Sequence, residues 1–168
     1  DDSPYMSTSA FAGSALILSP DLMYEKGFIS KRDLIDHPEF SPYTVNFEKV
    51  RKFKDNLIKL AYQHFKPEKQ QDYSDFLTNS WWLDDYALFM SCKQKYDFKG
   101  WFVWPKEIAS RKPDSLKKYL KDNVEVVNYF RFEQYLFFQQ WKMLKDYASR
   151  KQIFLFGDLP IYVAYDSV

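Results

Sequence analysis

Residues 153–160 read IFLFGDLP, and this stretch does most to decide the fold. Four apolar residues in a row, Ile153 to Phe156, are typical of a strand that is buried on both faces. A long helical pattern precedes them, and a helix that leads into such a strand is typical of a parallel α/β sheet. The sequence therefore predicts an α/β fold in which Gly157 ends a buried strand.

Asp158 comes directly after this predicted strand. A carboxylate in that position lies at the carboxyl edge of the sheet, where α/β folds and barrels hold their ligands. An aspartate that ends a strand by forming a turn would occupy the same place. Both interpretations of Asp158, a binding residue and a turn residue, remain open from the residues alone.

Upstream of the strand, apolar residues recur at three- to four-residue spacing, which predicts amphipathic helices. Ser19 and Pro20 fit the start of a short helix that Gly27 ends. A brief strand or buried edge is expected at residues 15–18. Longer helices are predicted at residues 45–61, 73–93 and 122–150, with Asp114 or Ser115 as the cap of another.

The composition indicates a folded chain with an excess of aromatic rings. The 168 residues are 46% hydrophobic and 28% charged, which excludes a disordered or collagen-like chain. Aromatic residues make up 20% of the chain, so many rings are expected at a surface or in a cleft. The length suits one domain and is too short for a complete (β/α)8 barrel, which typically needs about 250 residues.

Charge and cysteine content exclude several classes of protein. The formal net charge is +1, so no nucleic-acid partner is expected, because phosphate binding needs a dominant basic face. The single cysteine, Cys92, cannot form a disulfide framework. The polar, acidic start differs from a signal peptide and no apolar run is long enough to cross a bilayer. We therefore expect a soluble, cytoplasmic chain without a membrane partner.

The sequence carries no motif for a metal, a nucleophile or a phosphate group. His37 and His64 lie far apart without Cys or Asp at ligand spacing, and the glycines are isolated. The adjacent acids Asp84 and Asp85 fall in the middle of a predicted helix, where their side chains diverge by about 100° and cannot act on one bond together. We therefore expect no metal, no cofactor and a solvated position for the two acids.

Several rings are candidates for stacking on sugars. Tyr5 lies in a polar Ser-Pro segment where exposure is expected, and Trp101 and Trp104 lie in a loop rich in rings. For the adjacent pair Trp81 and Trp82, which falls in a predicted helix, packing in the core is the simpler interpretation.

Motifs at both ends of the chain resemble those of one enzyme family. The end motifs are DSPY at 2–5, SAFAG at 9–13 and GDLPIYVAYDS at 157–167. Looser matches follow the family's order between them: WLDDYALFM at 82–90, WFVWP at 101–105 and FFQQW at 137–141. Over essentially its whole length the chain resembles the amylomaltases, the 4-alpha-glucanotransferases or disproportionating enzymes of the α-amylase-like superfamily. It departs from their pattern at Asp1, where Gly is usual, and at Met6, where Gln is usual.

This resemblance implies that residues 1–168 are the N-terminal part of a catalytic (β/α)8 TIM barrel. That part runs from the loop after the first strand to the loop after the third, with a largely helical insertion at about 40–150. The implied activity is the transfer of α-1,4-glucan segments between maltooligosaccharides by a retaining double displacement. Retention needs two carboxyl groups about 5 Å apart. Because the family's nucleophile and acid/base lie in motifs that follow Val168, no catalytic residue is expected in this chain.

The resemblance also assigns substrate-binding roles to Ser3, Tyr5 and Asp158. Ser3 matches a serine that contacts the glucan, and Tyr5 matches a tyrosine that packs on the donor sugar. Asp158 matches an aspartate that hydrogen-bonds the substrate or orders the catalytic site.

The main alternative is a non-catalytic carbohydrate-binding domain with aromatic sugar platforms. Such domains are mostly β-sandwiches, whereas helical patterns dominate this chain. An RNA-binding or scaffold protein is a third possibility, and its weakness is the net charge of +1.

Overall fold

The computed structural model describes residues 6–158 and 164–168, and all of their regular structure is helical. These residues form eight α-helices: α1 (Pro20–Glu25), α2 (Lys31–Ile35), α3 (Phe47–His64), α4 (Gln71–Asn79), α5 (Leu83–Lys95), α6 (Lys106–Ala109), α7 (Pro113–Asp122) and α8 (Val124–Arg150). Short 3₁₀ helices cover Ala15–Ile17, Pro67–Lys69 and Trp101–Val103.

The chain divides into two compact units. Unit 1 comprises residues 1–12, 77–132 and 159–168, and unit 2 comprises residues 13–76 and 133–158.

The core of unit 1 is built around α5. Phe89 and Cys92 on this helix are buried against Trp104 and Tyr119, while Ala87 packs with the first turns of α8. The hydroxyl of Tyr119 lies 3.2 Å from that of Ser91, so these polar atoms are paired inside an otherwise apolar core. Trp104 is therefore a core residue and does not offer its ring to a ligand.

In unit 2, α3 and α8 supply most of the buried residues. Leu57, Ile58 and Ala61 recur at helical spacing and bury one face of α3, as the apolar pattern predicts. A ring of α4 meets a ring of α8 edge to face, with the centroids of Tyr73 and Tyr135 5.0 Å apart.

Two glutamines of α8 fix the start of unit 2 by pairing with its backbone. The side-chain amide of Gln134 accepts from Gly13 N at 2.8 Å and donates to Gly13 O at 3.0 Å. The amide of Gln140 pairs in the same way with Ser19, at 2.7 and 3.1 Å. Gly13 also packs closely on Phe137, and a Cβ there would lie 2.1 Å from its ring, so a larger residue would force that ring to move.

Several predicted helices are confirmed. Ser19 caps α1, since its side chain accepts from Leu22 N, and Gly27 follows the helix with a φ of 74°. The predicted helices at 45–61 and 122–150 are confirmed as α3 and α8.

Other local predictions are wrong. Residues 15–17 form a 3₁₀ turn rather than a strand, and Ser14 caps it. The predicted helix at 73–93 is two helices, α4 and α5, separated at residues 80–82. The helix assigned to Asp114 or Ser115 begins at Pro113, which needs no side-chain cap because proline starts a helix well.

The predicted buried strand at 153–156 is not found. Residues 153–156 are exposed and carry no strand assignment, and Phe154 is 94% exposed. A strand exists only when a neighbour accepts and donates along its backbone, and no partner strand occurs in residues 6–158 or 164–168. Four apolar residues cannot form a sheet by themselves.

Candidate functional site

The SAFAG motif begins with a turn at residues 9–12 in unit 1, and the side chain of Ser9 holds this turn together. The hydroxyl of Ser9, a buried residue, accepts from the backbone N–H groups of Phe11 and Ala12 at 3.2 and 3.3 Å. Serine favours such turns because its side chain replaces a backbone acceptor. The SAFAG motif therefore has a structural reason to begin with serine.

Phe11 holds this turn against the tryptophan pair. Its ring meets Trp81 edge to face with centroids 4.9 Å apart, and is nearly parallel to Trp82 at 6.3 Å. Trp81 is 77% exposed, so the prediction that core packing explains this pair is wrong for Trp81. The helix break at 80–82 turns that side chain outward.

Residues next to the two end motifs are hydrogen-bonded to each other in unit 1. The backbone N–H of Val168 donates to the carbonyl of Thr8 at 2.9 Å, and the hydroxyl of Ser167 donates to Ala164 O at 2.6 Å. Residues that lie 160 positions apart in the sequence are thus hydrogen-bonded. The structure brings together Thr8, which follows the DSPY motif, and Val168, which follows the GDLPIYVAYDS motif.

A buried lysine organises the second of these segments. The ammonium group of Lys93 donates to Phe98 O at 2.9 Å, to Lys99 O at 3.3 Å and to the carboxylate of Asp166, with which it forms an ion pair. The other oxygen of Asp166 accepts from Trp101 N at 3.1 Å. We call these five residues the Lys93 cluster.

Three rings line the exposed side of this cluster. The ring of Tyr165 lies 5.4 Å from Trp101 and 5.4 Å from Phe102, centroid to centroid. The indole N–H of Trp101 donates to Tyr165 O at 2.9 Å, so backbone and ring contacts act on the same pair. Tyr165 and Phe102 are 73% and 54% exposed.

Asp158, the predicted binding residue in unit 2, is exposed and follows the apolar run 153–156. Ser3 and Tyr5, the other predicted binding residues, lie outside the described residues. Neither Lys93 nor its pairing with Asp166 was identified from the sequence as functional. No local signal could have found the pair, because its members are 73 residues apart and Lys93 occupies an ordinary last-turn position of α5.

The acid pair Asp84 and Asp85 is exposed, as predicted, but lies in the first turn of α5 rather than in mid-helix. Asp84 accepts from Arg131 Nε at 3.0 Å, and Asp85 accepts from Arg111 at 2.6 Å. Each acid thus has its own arginine, and the two do not form a pair that acts on one bond.

Searched over the described ranges, the chain shows no cluster of three or more His, Cys, Asp or Glu side chains that could bind a metal ion. Burial raises the pKa of the Cys92 thiol, which keeps this side chain uncharged within the core. Among the helices described, none combines the length and apolar character needed to span a membrane.

Known proteins match the whole chain. The family model described as 4-alpha-glucanotransferase matches residues 1–168. The 4-alpha-glucanotransferase of Clostridium butyricum is 41% identical across 99% of this chain and 34% of its own length, and that of Thermus thermophilus is 35% identical across 99% and 33%. A chloroplastic 4-alpha-glucanotransferase of Solanum tuberosum is 31% identical across 99% and 30%.

A solved structure agrees with these relatives. The amylomaltase of Streptococcus agalactiae, in complex with acarbose, superposes with a TM-score of 0.93 at 35% identity, over 99% of this chain and 34% of that one. The chain therefore spans about a third of the length of the relatives it matches. A non-catalytic carbohydrate-binding domain is not favoured by any of these matches. The chain, with its end motifs on either side of the hydrogen-bonded residues Thr8 and Val168, thus belongs to the 4-alpha-glucanotransferase family, glycoside hydrolase family 77.

Proposed function

We propose that the whole protein is a 4-alpha-glucanotransferase that moves α-1,4-glucan segments between maltooligosaccharides by a retaining double displacement. The observation that carries the proposal is the family match along all of residues 1–168, which includes both end motifs. In this mechanism one carboxylate attacks the anomeric carbon, another protonates the leaving oxygen, and a sugar hydroxyl intercepts the glycosyl-enzyme.

The part that this chain plays is substrate binding. Ser3 contacts the glucan, Tyr5 packs on the donor sugar, and Asp158 hydrogen-bonds the substrate or orders the catalytic centre. Support comes from the motif matches at these three positions and from the exposure of the Asp158 side chain. The nucleophile and the acid/base belong to segments outside these 168 residues. Transfer in preference to hydrolysis requires that water be excluded while an acceptor is bound, a role suited to aromatic walls.

Within the whole protein, residues 1–168 form the N-terminal part of a (β/α)8 barrel, with a largely helical insertion at about 40–150. The helices α3 to α8 lie entirely within that range, which supports the proposed insertion. Residues 153–156 become a barrel strand when segments outside this chain pair with them. The apolar character of all four residues supports this, because a strand of a parallel barrel is covered on both faces.

The partners in this proposal are α-1,4-glucans, and the protein works without a metal or cofactor, in the cytoplasm. Support for the cytoplasm comes from the lone, buried Cys92, which fits a reducing compartment. The potato relative is chloroplastic. Cell fractionation with an antibody against the whole protein tests this location.

The activity is tested with maltotriose. The full-length protein should release glucose and build dextrins longer than maltotriose, and chromatography of the products would show both series. Only glucose formed by hydrolysis, or no reaction, would contradict the transferase proposal. Residues 1–168 expressed alone are the matched control, and they should transfer nothing because the two carboxylates are supplied by other segments.

The role of Asp158 is tested by Asp158→Asn in the full-length protein. Loss of a charge-assisted hydrogen bond to a sugar hydroxyl should raise KM for maltotriose by about tenfold or more, since such bonds contribute about 1.5–3 kcal/mol. The exposed Asp85→Asn variant, whose aspartate pairs with Arg111, is the control and should leave KM unchanged. If Asp158→Asn keeps the wild-type KM and kcat, Asp158 is only a turn residue.

A further inference from the structure

We propose that a cavity in unit 2, bounded by α1, α2, the loop that follows α2 and α3, binds a glucose residue of an α-1,4-glucan chain. The cavity has a volume of about 360 Å³, and its walls include three rings and one carboxylate, from His37, Phe40, Phe53 and Asp21. The inference rests on the proposed function, from which it takes the glucan, and it adds a binding site that the family motifs do not include.

The size of the cavity suits one sugar residue of a longer chain. Sites for small molecules measure about 300–1,000 Å³, so this cavity is at the lower end of that range. Two of its lining side chains, Ile35 and Phe40, are 65% and 40% exposed, so the cavity opens to solvent. A closed cavity would admit only a free sugar, whereas an open one lets the rest of a polymer extend away on both sides.

The rings supply apolar contact for the faces of a sugar. The rings of His37 and Phe40 lie at 20° to each other with their centroids 6.2 Å apart. Phe53 meets both of them edge to face, at 6.3 Å and 5.7 Å. The C–H groups on a sugar face pack well against aromatic rings, whose faces carry partial negative charge. Because the three rings already contact one another, they keep their places when no ligand is bound.

The loop that carries His37 and Phe40 is held in position by its own contacts. Pro38 and Pro42 restrict the backbone of this loop. Lys49, on α3, donates to the carbonyl of Glu39, and its ammonium group lies 5.7 Å from the centroid of the Phe40 ring. A loop that is ordered beforehand loses less conformational entropy when a ligand binds.

Two polar groups in the cavity wall suit the hydroxyl groups of a sugar. The carboxylate of Asp21 only accepts hydrogen bonds, and a charge-assisted bond from a hydroxyl group is about twice as strong as a neutral one. His37 Nδ1 lies 3.0 Å from Pro38 O, and because a carbonyl oxygen only accepts, Nδ1 carries the proton. Nε2 of the neutral ring is then a second acceptor. Acceptors beside apolar walls match the hydroxyl groups and C–H faces of an uncharged sugar.

The experiment measures binding of the full-length protein to amylopectin by electrophoresis in native gels that contain this polymer. Phe40→Ala should weaken binding by about tenfold, because it removes one of the three rings. Asp21→Asn should weaken binding by about fivefold, because a charge-assisted hydrogen bond becomes a neutral one. Asp21→Asn keeps the shape of the side chain, so it remains informative if Phe40→Ala lowers stability.

Two matched controls alter similar side chains that do not line the cavity. Tyr43→Ala removes a ring from the same loop, where it is 92% exposed, and Asp36→Asn removes an exposed acid from the same unit. Both control variants should bind amylopectin within about twofold of the wild type, because exposed side chains outside the cavity contribute little to it.

The inference is overturned if Phe40→Ala and Asp21→Asn bind amylopectin as the wild type does, or if Tyr43→Ala weakens binding as much as Phe40→Ala. A lower melting temperature of Phe40→Ala with unchanged binding also overturns it, since another segment of the whole protein would then fill the cavity. The proposed function fails separately: a wild-type protein that binds amylopectin through this cavity but transfers nothing from maltotriose would contradict the transferase and leave the binding site standing.

Discussion

At the scale of single residues, the carboxyl group of Glu133 has the least ordinary environment. It is buried on α8 in unit 2, and its pKa is raised to about 7, with burial as the largest cause. The negative charge of Asp55 contributes to this rise in pKa, whereas a hydrogen bond with Gln134 opposes it. Asp55 itself has a raised pKa through burial, partly opposed by Lys59 and Arg51. The folded chain therefore favours the protonated form of Glu133.

This environment predicts a pH-dependent stability that Glu133→Gln removes. Between the usual pKa of 4.5 and the raised value of about 7, the folded state holds a proton that the unfolded state has lost. Stability due to this group therefore falls as pH rises through that window, by about 1.4 kcal/mol for each unit of pKa difference. Glu133→Gln should melt like the wild type at pH 4.5 and at a higher temperature at pH 8.

Thermal unfolding of the full-length protein at both pH values checks this expectation. The exposed Glu25→Gln variant is the control and should shift the melting temperature by the same small amount at each pH. A Glu133→Gln effect that is the same at both pH values would show that folding leaves the pKa of Glu133 at its usual value.

Residue-scale features differ in how far the sequence predicts them. The Ser19 cap and the exposure of Asp84 and Asp85 follow from residue type and neighbours, and the structure agrees. Burial of Lys93 could not be predicted, because it depends on a carboxylate that is distant in the sequence. The left-handed φ of Phe98 could not be predicted either, since the residue at that position is not a glycine.

At the scale of elements, α8 organises unit 2 through its glutamines. Gln134 and Gln140 are six positions apart on the helix, and so are their backbone partners Gly13 and Ser19. Because the two spacings match, the glutamines fix the register of residues 13–19 along α8. Because each amide satisfies both a backbone donor and a backbone acceptor, either glutamine is costly to replace with an apolar residue.

This arrangement predicts a selective change in hydrogen exchange. In the full-length protein, Gln134→Leu should speed exchange of the Gly13 amide by about tenfold or more, since a net hydrogen bond contributes about 0.5–1.5 kcal/mol and an orphaned partner costs more. The Ser19 amide should stay protected, because Gln140 still pairs with it. Gln140→Leu should produce the reverse pattern.

Exchange measured on peptides that separate Gly13 from Ser19 provides the check. Equal acceleration at both amides in either variant would mean that the glutamines stabilise unit 2 as a whole and do not fix local register. Lys142→Leu, at an exposed position of the same helix, should change neither amide.

Helical elements were predictable where one apolar face continued without interruption, as in α3 and α8. The same apolar spacing runs across residues 80–82, so periodicity missed the break between α4 and α5. The break depends on the turn closed by Leu83 N and Ser80 O at 2.9 Å, which periodicity does not register. Spacing identifies a face, whereas local hydrogen bonds decide where a helix stops.

At the scale of the whole molecule, no strand forms among residues 6–158 and 164–168. Helices satisfy their own backbone hydrogen bonds, and so the predicted helices form within this chain. A parallel strand needs neighbours, and among the described residues there are none to pair with Ile153 to Phe156. The family was recognised from the end motifs, which local periodicity could not have provided, and the match over residues 1–168 agrees with them.

The exposed run 153–156 carries a consequence for handling and for folding. Phe154 and Phe156 are 94% and 102% exposed, and the run contains no charge and no proline. Such a segment is a ready template on which a second chain can add a strand, so self-association should grow with concentration wherever the run stays uncovered. When the whole protein folds, burial of these four residues must then be faster than aggregation through them.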